Sequence, residues 1–337
     1  MIILTSRSSV LLRPRARQTH QGLPMAFNAL INRCSQVALD VNLGQIGQNG
    51  TPLQQWDYQG TPNQHWEFQD AGGGWVWLKN QQSGKALDVV AGQIGNNAAA
   101  VQQWDYQGTP NQQWQKVNTG SGWFWLQNRQ SGKALDVHVY DIAKNGARVQ
   151  QFDFLGNTNQ QWKEGGNTGS DRFTFGSFTF ALTISSDQVC KLFERHRFAF
   201  SRIGSCGNLN AGEQQALRTA YARAIDHDVS TNPNANAEAF VNGSQILVNF
   251  GNLFPQGDNE IAQSLIHEMM HCAGYTHPDK TGQDQPNDNG SYYGSPPLRA
   301  EICIAGNQSD VVKALTLKAR YESCSSVGGR CVIRIND

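Results

Sequence analysis

The strongest constraint on the fold is a 31-residue segment that occurs three times in the first half of the chain. The copies span residues 36–66, 84–114 and 132–162, so each begins 48 residues after the one before it. Short runs that alternate apolar and polar residues, such as 75–80 and 123–128, predict strands. A fixed period indicates one supersecondary unit used three times. Because a propeller typically has about four to eight blades, the repeats predict an all-β domain closed from three lobes.

A Gln-x-Trp signature ends each repeat, at residues 64–66, 112–114 and 160–162. These signatures resemble those of the ricin B-type lectins, which are β-trefoils, and the resemblance covers residues 27–166. Lectins of this family bind sugar in each lobe through an early Asp, a stacking aromatic ring and an Asn just before the signature. The resemblance therefore implies a domain that binds glycans or glycoproteins. Nine residues match the pattern and are the predicted carbohydrate-binding residues: Asp40, Trp56, Asn63, Asp88, Trp104, Asn111, Asp136, Phe152 and Asn159.

The chemistry of a sugar fits these residue types. An aromatic ring covers the apolar C–H face, while a carboxylate and an amide bind the hydroxyl groups. Phe152 stacks but lacks the N–H group of Trp56 and Trp104, so the third lobe is the weakest predicted site. The alternative for these three aromatic side chains is a place in the hydrophobic core. The Trp of each signature is itself expected in the core, with its Gln bound to backbone groups.

The second half of the chain has a different composition. The length of 337 residues favours two domains. All nine Trp precede residue 163, whereas six of the seven Cys follow it. Residues 1–26 form a tail of unknown role, and residues 167–172, rich in Asn, Thr, Gly and Ser, predict a linker. In the remaining domain, 173–337, the patterns predict a helix over 212–228 and a hairpin over 239–250.

The second domain contains the motif HEMMHCAGYTH, from His267 to His277. Its surroundings predict a helix that begins near Asp258 and ends at Gly274. His267 and His271 are four residues apart on one helix face, so both can bind one metal ion. The chain then turns back at Gly274, which allows His277 to bind as a third ligand. Three protein ligands and an open fourth position are typical of a catalytic Zn²⁺ site.

Two carboxylates compete with His277 for the third position, because zinc also accepts oxygen ligands: those of Asp279 and Glu301. Glu268 lies beside the predicted ligands and is the expected proton acceptor for a water molecule bound to zinc. The motif resembles that of the metzincin metallopeptidases. The resemblance implies an α+β zincin-like domain with zinc endopeptidase activity on protein or peptide substrates. The chain departs from that family because no Met follows Met270 to form the Met-turn.

The Tyr-Gly pair at Tyr293 resembles that of the aspzincin peptidases, whose Tyr donates a hydrogen bond to the carbonyl oxyanion. The resemblance implies this catalytic role for Tyr293, with Tyr292 as the alternative. Either tyrosine could instead belong to the core.

Charge and cysteine content bear on partners and location. The chain has 27 Lys and Arg against 27 Asp and Glu, which argues against a nucleic-acid partner. The sequence contains no run of 18 apolar residues, so it predicts no membrane span. Six cysteines in one domain are typical of disulfides in a secreted protein, although free thiols in a cytosolic protein are the alternative. Cys34 is expected in the core, and the hypothetical disulfides are Cys190–Cys206, Cys272–Cys303 and Cys324–Cys331.

The sequence thus predicts a multidomain protein, an all-β β-trefoil followed by an α+β zincin-like domain. The predicted function is a zinc-dependent endopeptidase that its carbohydrate-binding domain targets to glycosylated substrates. The alternative is a carbohydrate-binding lectin, used for defence or adhesion, with a catalytically inert zincin-like domain. A glycoside hydrolase would need two facing carboxylates, and no such pair stands out.

Overall fold

A computed structural model of the chain describes residues 27–165, 176–277, 292 and 294–305. Several sequence predictions fall on residues outside these ranges: the tail 1–26, the linker 167–172, Asp279, Tyr293, Cys324 and Cys331.

Twelve strands build the N-terminal domain within the described residues. They are β1 (Asn28–Asn32), β2 (Ala38–Val41), β3 (Thr51–Trp56), β4 (His65–Gly72), β5 (Trp75–Asn80), β6 (Ala86–Val89), β7 (Ala99–Trp104), β8 (Trp114–Gly120), β9 (Trp123–Asn128), β10 (Ala134–Val137), β11 (Val149–Phe152) and β12 (Trp162–Glu164). All belong to one sheet.

The three lobes close on one another through equivalent strand pairs. Pro52 of β3 pairs with Gln102 of β7, and Ala100 of β7 pairs with Gln150 of β11. An antiparallel bridge between Arg148 and Gln54 completes the ring. The first and last strands of the domain, β1 and β12, also pair antiparallel. The prediction of an all-β barrel closed from three lobes is confirmed.

The Trp residues of the three signatures form the centre of this barrel. Trp66, Trp114 and Trp162 are fully buried. Each indole N–H donates to a backbone carbonyl 27 residues earlier, at 3.1 or 3.2 Å. The Gln residues before them donate to backbone carbonyls as well. These Trp and Gln residues therefore have the structural roles expected from the sequence.

The C-terminal domain combines a small sheet with helices. Its strands are β13 (Phe178–Phe180), β14 (Ile225–Val229), β15 (Ala237–Ala239) and β16 (Gln245–Val248). Its helices are α1 (Ser186–Ile203), α2 (Ala211–Tyr221), α3 (Phe250–Leu253), α4 (Asp258–Cys272) and α5 (Pro296–Ala305). The sheet order is β13-β14-β16-β15, in which β15 is antiparallel and lies at the edge. Helix α4 packs against α1 and α5. Within the described ranges, every helix is too short or too polar to cross a lipid bilayer.

One predicted helix is shorter than expected, and the hairpin prediction agrees with the structure. The helix predicted over 212–228 ends at Tyr221, and Ile225–Val229 instead form β14. Ile225 fits an apolar helical stripe, but it also begins a run with alternating burial. Pairing of β14 with two parallel neighbours, β13 and β16, stabilises the strand. The hairpin predicted over 239–250 is formed by β15 and β16.

The motif helix α4 ends where Gly274 reverses the chain. Gly274 has a φ of +97°, a value that side chains disfavour. Its N–H donates to the carbonyl of His271, and the N–H of Tyr275 donates to that of Met270. A Cβ atom at position 274 would lie 2.6 Å from Oδ1 of Asn242. The positive φ therefore favours glycine here, and any larger residue would also have to displace the Asn242 side chain.

The disulfide in the described residues joins Cys206 to Cys303. The hypothetical pairs Cys190–Cys206 and Cys272–Cys303 are thus wrong, because each contains one cysteine of the observed bond. Cys190 and Cys272 point into the core from α1 and α4 and are buried free thiols. Cys34 is a fully buried thiol, as expected.

Candidate functional site

The ε-nitrogens of the three motif histidines converge on one point. Nε2 of His267 lies 3.1 Å from Nε2 of His277 and 3.2 Å from Nε2 of His271. Tetrahedral zinc, with zinc–nitrogen bonds of about 2.0–2.1 Å, separates its nitrogen ligands by roughly 3.4 Å. The spacing of these nitrogens therefore fits a zinc ion.

The outer nitrogens of two of these rings show how their protons are placed. Nδ1 of His271 lies 2.9 Å from the carbonyl oxygen of Tyr275, which can only accept, so Nδ1 carries the proton. Nδ1 of His267 lies 2.6 Å from Oε1 of Glu301 and donates to it when Glu301 is ionised. Both Nε2 atoms then carry lone pairs that face each other. A cation between them removes this repulsion, which is a second way in which the residues fit zinc.

Burial keeps the ligand rings neutral. Burial, together with the neighbouring histidines, lowers the pKa of His267 to about 3 and that of His271 to about 4. A hydrogen bond to the Tyr275 carbonyl opposes the shift at His271. Only a neutral imidazole can bind a metal ion, so both rings are available as ligands at physiological pH.

Glu268 follows His267 on α4 and is 6 % exposed. Burial raises the pKa of its carboxyl group to about 8, and a hydrogen bond from the backbone of Ala239 opposes this shift. Ala239 belongs to the edge strand β15. The carboxyl group therefore lies against the edge of the sheet. A nearby dication would favour its ionised form, as a proton acceptor requires.

Glu301 and Tyr292 also contact this site. Glu301 binds the outer nitrogen of His267, on the side of the ring opposite Nε2, so the structure does not place it as a third ligand. The ring of Tyr292 lies 4.9 Å from that of His277, edge to face. Asp279 and Tyr293 lie outside the described residues.

The predicted carbohydrate-binding residues of the first lobe surround a cavity of about 240 Å³. Oδ1 of Asp40 accepts a hydrogen bond from Gln54, and Oδ2 accepts one from Asn63, both at 2.8 Å. The Asn63 amide also donates to the carbonyl of Val41. Asn63 thus orients the carboxylate and has no remaining N–H for a sugar. The cavity is lined by Asp40, Asn42, Leu43, Gln54, Trp56, Gln59 and Asn63.

The same arrangement recurs in the other two lobes. Asp88 accepts from Gln102 and Asn111, and Asp136 accepts from Gln150 and Asn159, again at 2.8 Å. The glutamine that holds each carboxylate was not predicted from the sequence: Gln54, Gln102 and Gln150. Its constant offset from the Asp, 14 residues in each repeat, was the signal that could have identified it.

The third lobe differs in its electrostatics and surroundings. Burial raises the pKa of all three Asp residues, and that of Asp136 reaches about 7. Val139, beside the third site, is 5 % exposed, whereas its counterpart Leu43 is 52 % exposed. Tyr140 donates to the carbonyl of Ile184 in the C-terminal domain. The rim of the third site thus packs against the other domain.

A sequence profile of the family described as "Ricin-type beta-trefoil lectin domain-like" matches residues 28–104, 62–152 and 110–185. The N-terminal part of this chain is a ricin-type β-trefoil lectin domain. The family match supports a carbohydrate-binding, lectin-like domain. No curated protein matches the chain.

Three solved structures are similar to the lectin domain. A designed threefold-symmetric protein, ThreeFoil, is 40% identical over 41% of this chain and 96% of its own, with a TM-score of 0.39. An exo-β-1,3-galactanase from Clostridium thermocellum is 31% identical over 42% of this chain and 30% of its own, with a TM-score of 0.40. The Rhizoctonia solani agglutinin is 22% identical over 43% of this chain and 98% of its own, with a TM-score of 0.38.

The comparisons bear on the lectin domain rather than on the histidine site. The family match ends at residue 185, before α1 begins. Of the two functions predicted from the sequence, the matches support the carbohydrate-binding alternative better than the peptidase. Peptide hydrolysis and zinc binding are proposals that rest on the geometry of the site.

Proposed function

We propose that the C-terminal domain of this lectin is a zinc-dependent endopeptidase, and that the lectin domain directs it to glycosylated substrates. The observation that supports this most is the convergence of three histidine Nε2 atoms on α4 and the turn after it. Glu268, on the same helix, adds the buried carboxyl group that the hydrolysis of a peptide bond requires.

Zinc bound to the three imidazoles would supply Lewis acidity, which polarises a carbonyl group and makes hydroxide accessible near neutral pH. Glu268 accepts the proton of the attacking water and returns it to the leaving amine. Tyr293 donates a hydrogen bond to the developing oxyanion, with Tyr292 as the alternative donor. The ring contact between Tyr292 and His277 supports a place for Tyr292 beside the proposed ligands.

The edge strand β15 favours a peptide as the substrate. Among the described strands it pairs with β16 alone, so its other side can accept an extended peptide as an additional strand. The backbone of Ala239, on β15, binds Glu268. A peptide on this edge would therefore lie close to the proton acceptor.

The lectin domain would hold the enzyme on glycoproteins. Its three similar sites can bind one glycosylated surface together, which raises the effective concentration of substrate for the C-terminal domain. The Cys206–Cys303 disulfide supports secretion, since such bonds persist in oxidising compartments.

A lectin with an inert C-terminal domain is the second candidate. The comparisons favour it, because they reach the lectin domain only. In that protein the three histidines would bind zinc for stability alone, and zinc-loaded protein would hydrolyse no peptide bond.

Replacement of His277 tests whether it is the third zinc ligand. We expect His277→Ala to lower the zinc content of the dialysed protein well below that of Asp279→Ala, because two histidines alone hold zinc weakly. Hydrolysis of casein should fall in parallel. Metal analysis of both purified variants beside the wild type measures the effect. If Asp279→Ala loses zinc while His277→Ala keeps it, the third ligand is assigned incorrectly.

A further inference from the structure

We propose that Glu301 is a positioning residue for the metal site. Two attachments of α5, the Cys206–Cys303 disulfide and the Arg299–Glu213 ion pair, keep Glu301 in contact with His267. This inference rests on the proposed zinc site. It assigns to α5 a role in metal affinity that the sequence motif does not contain.

The first observation is the contact itself. Oε1 of Glu301 lies 2.6 Å from Nδ1 of His267, and the two side chains are only 19% and 12% exposed. A carboxylate on the outer nitrogen fixes the tautomer, so that Nε2 carries the lone pair, and fixes the orientation of the ring. It also adds a negative charge that stabilises a bound cation. The comparable partner of His271 is a backbone carbonyl, that of Tyr275. Among these two outer contacts, only the one from Glu301 can be removed by changing a side chain.

The second observation is the attachment of α5 on both sides of Glu301. Cys303 forms the disulfide with Cys206, which follows α1. Arg299 makes two hydrogen bonds, of 2.5 and 3.1 Å, with the carboxylate of Glu213 on α2. It also donates to the carbonyl of Asn208 at 2.6 Å. Arg299 and Cys303 are thus both fixed to the segment that joins α1 to α2 and to the first turn of α2.

Helix geometry connects these two observations. Arg299 and Cys303 are four residues apart and lie on one face of α5. Glu301 is two residues from each, which places it on the opposite face. That face packs against α4, where His267 lies. The two attachments therefore press the Glu301 face onto the metal-binding helix, and neither contacts a metal ligand itself.

The expected consequence is a loss of zinc affinity without loss of a ligand. Removal of an outer-shell partner of a metal-bound histidine typically weakens binding by about 10- to 100-fold. Loss of the α5 attachments should weaken zinc binding through the same Glu301–His267 contact. It should therefore lower zinc affinity in the wild type but not in a protein that already lacks the Glu301 carboxylate.

The experiment measures zinc affinity of the full-length protein by competition with a chromogenic chelator. Glu301→Ala should bind zinc about 10- to 100-fold more weakly than the wild type. Glu301→Gln, whose amide oxygen can still accept from Nδ1, should lie between the two. The double variant Cys206→Ala/Cys303→Ala should also bind more weakly, and adding it to Glu301→Ala should cause no further loss. Glu260→Ala is the matched control, because it removes a carboxylate from α4 near Glu301; burial raises the pKa of Glu260, and the charge of Glu301 adds to that rise.

Each outcome has a distinct meaning. A wild-type protein that binds no zinc overturns both the proposed function and this inference. Wild-type affinity in Glu301→Ala overturns the positioning role alone. Equal losses in Glu301→Ala and Glu260→Ala would show that net charge, and not orientation of His267, sets the affinity. If the cysteine exchange lowers the zinc affinity of Glu301→Ala further, the attachments of α5 do not act through Glu301. Circular dichroism and thermal unfolding of the full-length protein check that the C-terminal domain of every variant is folded, because retention on an immobilised glycoprotein reports on the lectin domain alone.

Discussion

Glu268→Gln is expected to retain zinc at the wild-type level and to hydrolyse casein about 100- to 10,000-fold more slowly. The amide fills the same buried volume beside β15, and it is not a ligand in the proposed shell. It cannot accept a proton at neutral pH, so the attacking water would lose its base. Metal analysis and initial rates on the same preparation separate the two effects.

Glu260→Gln is the matched control for this variant. It makes the same chemical change on the same helix, in the first turn of α4 rather than beside the ligands. Its rate should stay within a factor of two or so of the wild type, because Glu260 lies about two helical turns before His267 and takes no part in the proposed proton transfer. A Glu268→Gln protein that cleaves casein at the wild-type rate would eliminate Glu268 as the proton acceptor.

Exchange of Asp40, Asp88 and Asp136 for Ala in one protein is expected to abolish retention on an immobilised glycoprotein almost completely. Each carboxylate is oriented by two side-chain amides and belongs to one of the three predicted sugar sites. Sites that bind one surface together reinforce each other, so the loss should be steeper than the sum of the single losses. Asp136→Ala alone should have the smallest effect, because the rim of its site packs against the C-terminal domain.

A control for the triple variant exists at another repeated position. Asp57, Asp105 and Asp153 are equivalent in the repeats, and each binds an Asn of a different lobe. Their joint exchange for Asn should leave retention unchanged. Hydrolysis of short peptides should be unaffected in both triple variants. Wild-type retention of the Asp40/Asp88/Asp136 variant on every glycoprotein column would refute the assignment of these sites.

The parts of the structure that could be predicted are those encoded by local spacing. A 48-residue period fixed the three lobes, and it placed equivalent Asp, aromatic and Asn residues in each. The helical repeat placed His267 and His271 on one face, and Gly274 marked the reversal that brings His277 back.

Contacts between distant elements could not be read in this way. Glu301 reaches His267 across 34 residues of sequence because α5 packs on α4, and nothing in the local pattern signals that packing. The disulfide spans 97 residues for a similar reason. The local pattern around Ile225 fits both a helix and a strand. Pairing with β13 and β16, on either side of β14, favours the strand.

The most direct test of the central claim is the zinc content and casein hydrolysis of the purified protein before and after treatment with a chelator. The account predicts one zinc ion per chain, loss of hydrolysis when the metal is removed, and recovery when zinc is restored. Retention on a glycoprotein column should not change during this cycle. A protein that carries one zinc ion per chain and hydrolyses neither casein nor any glycoprotein would contradict the account and leave a lectin with an inert metal-binding domain.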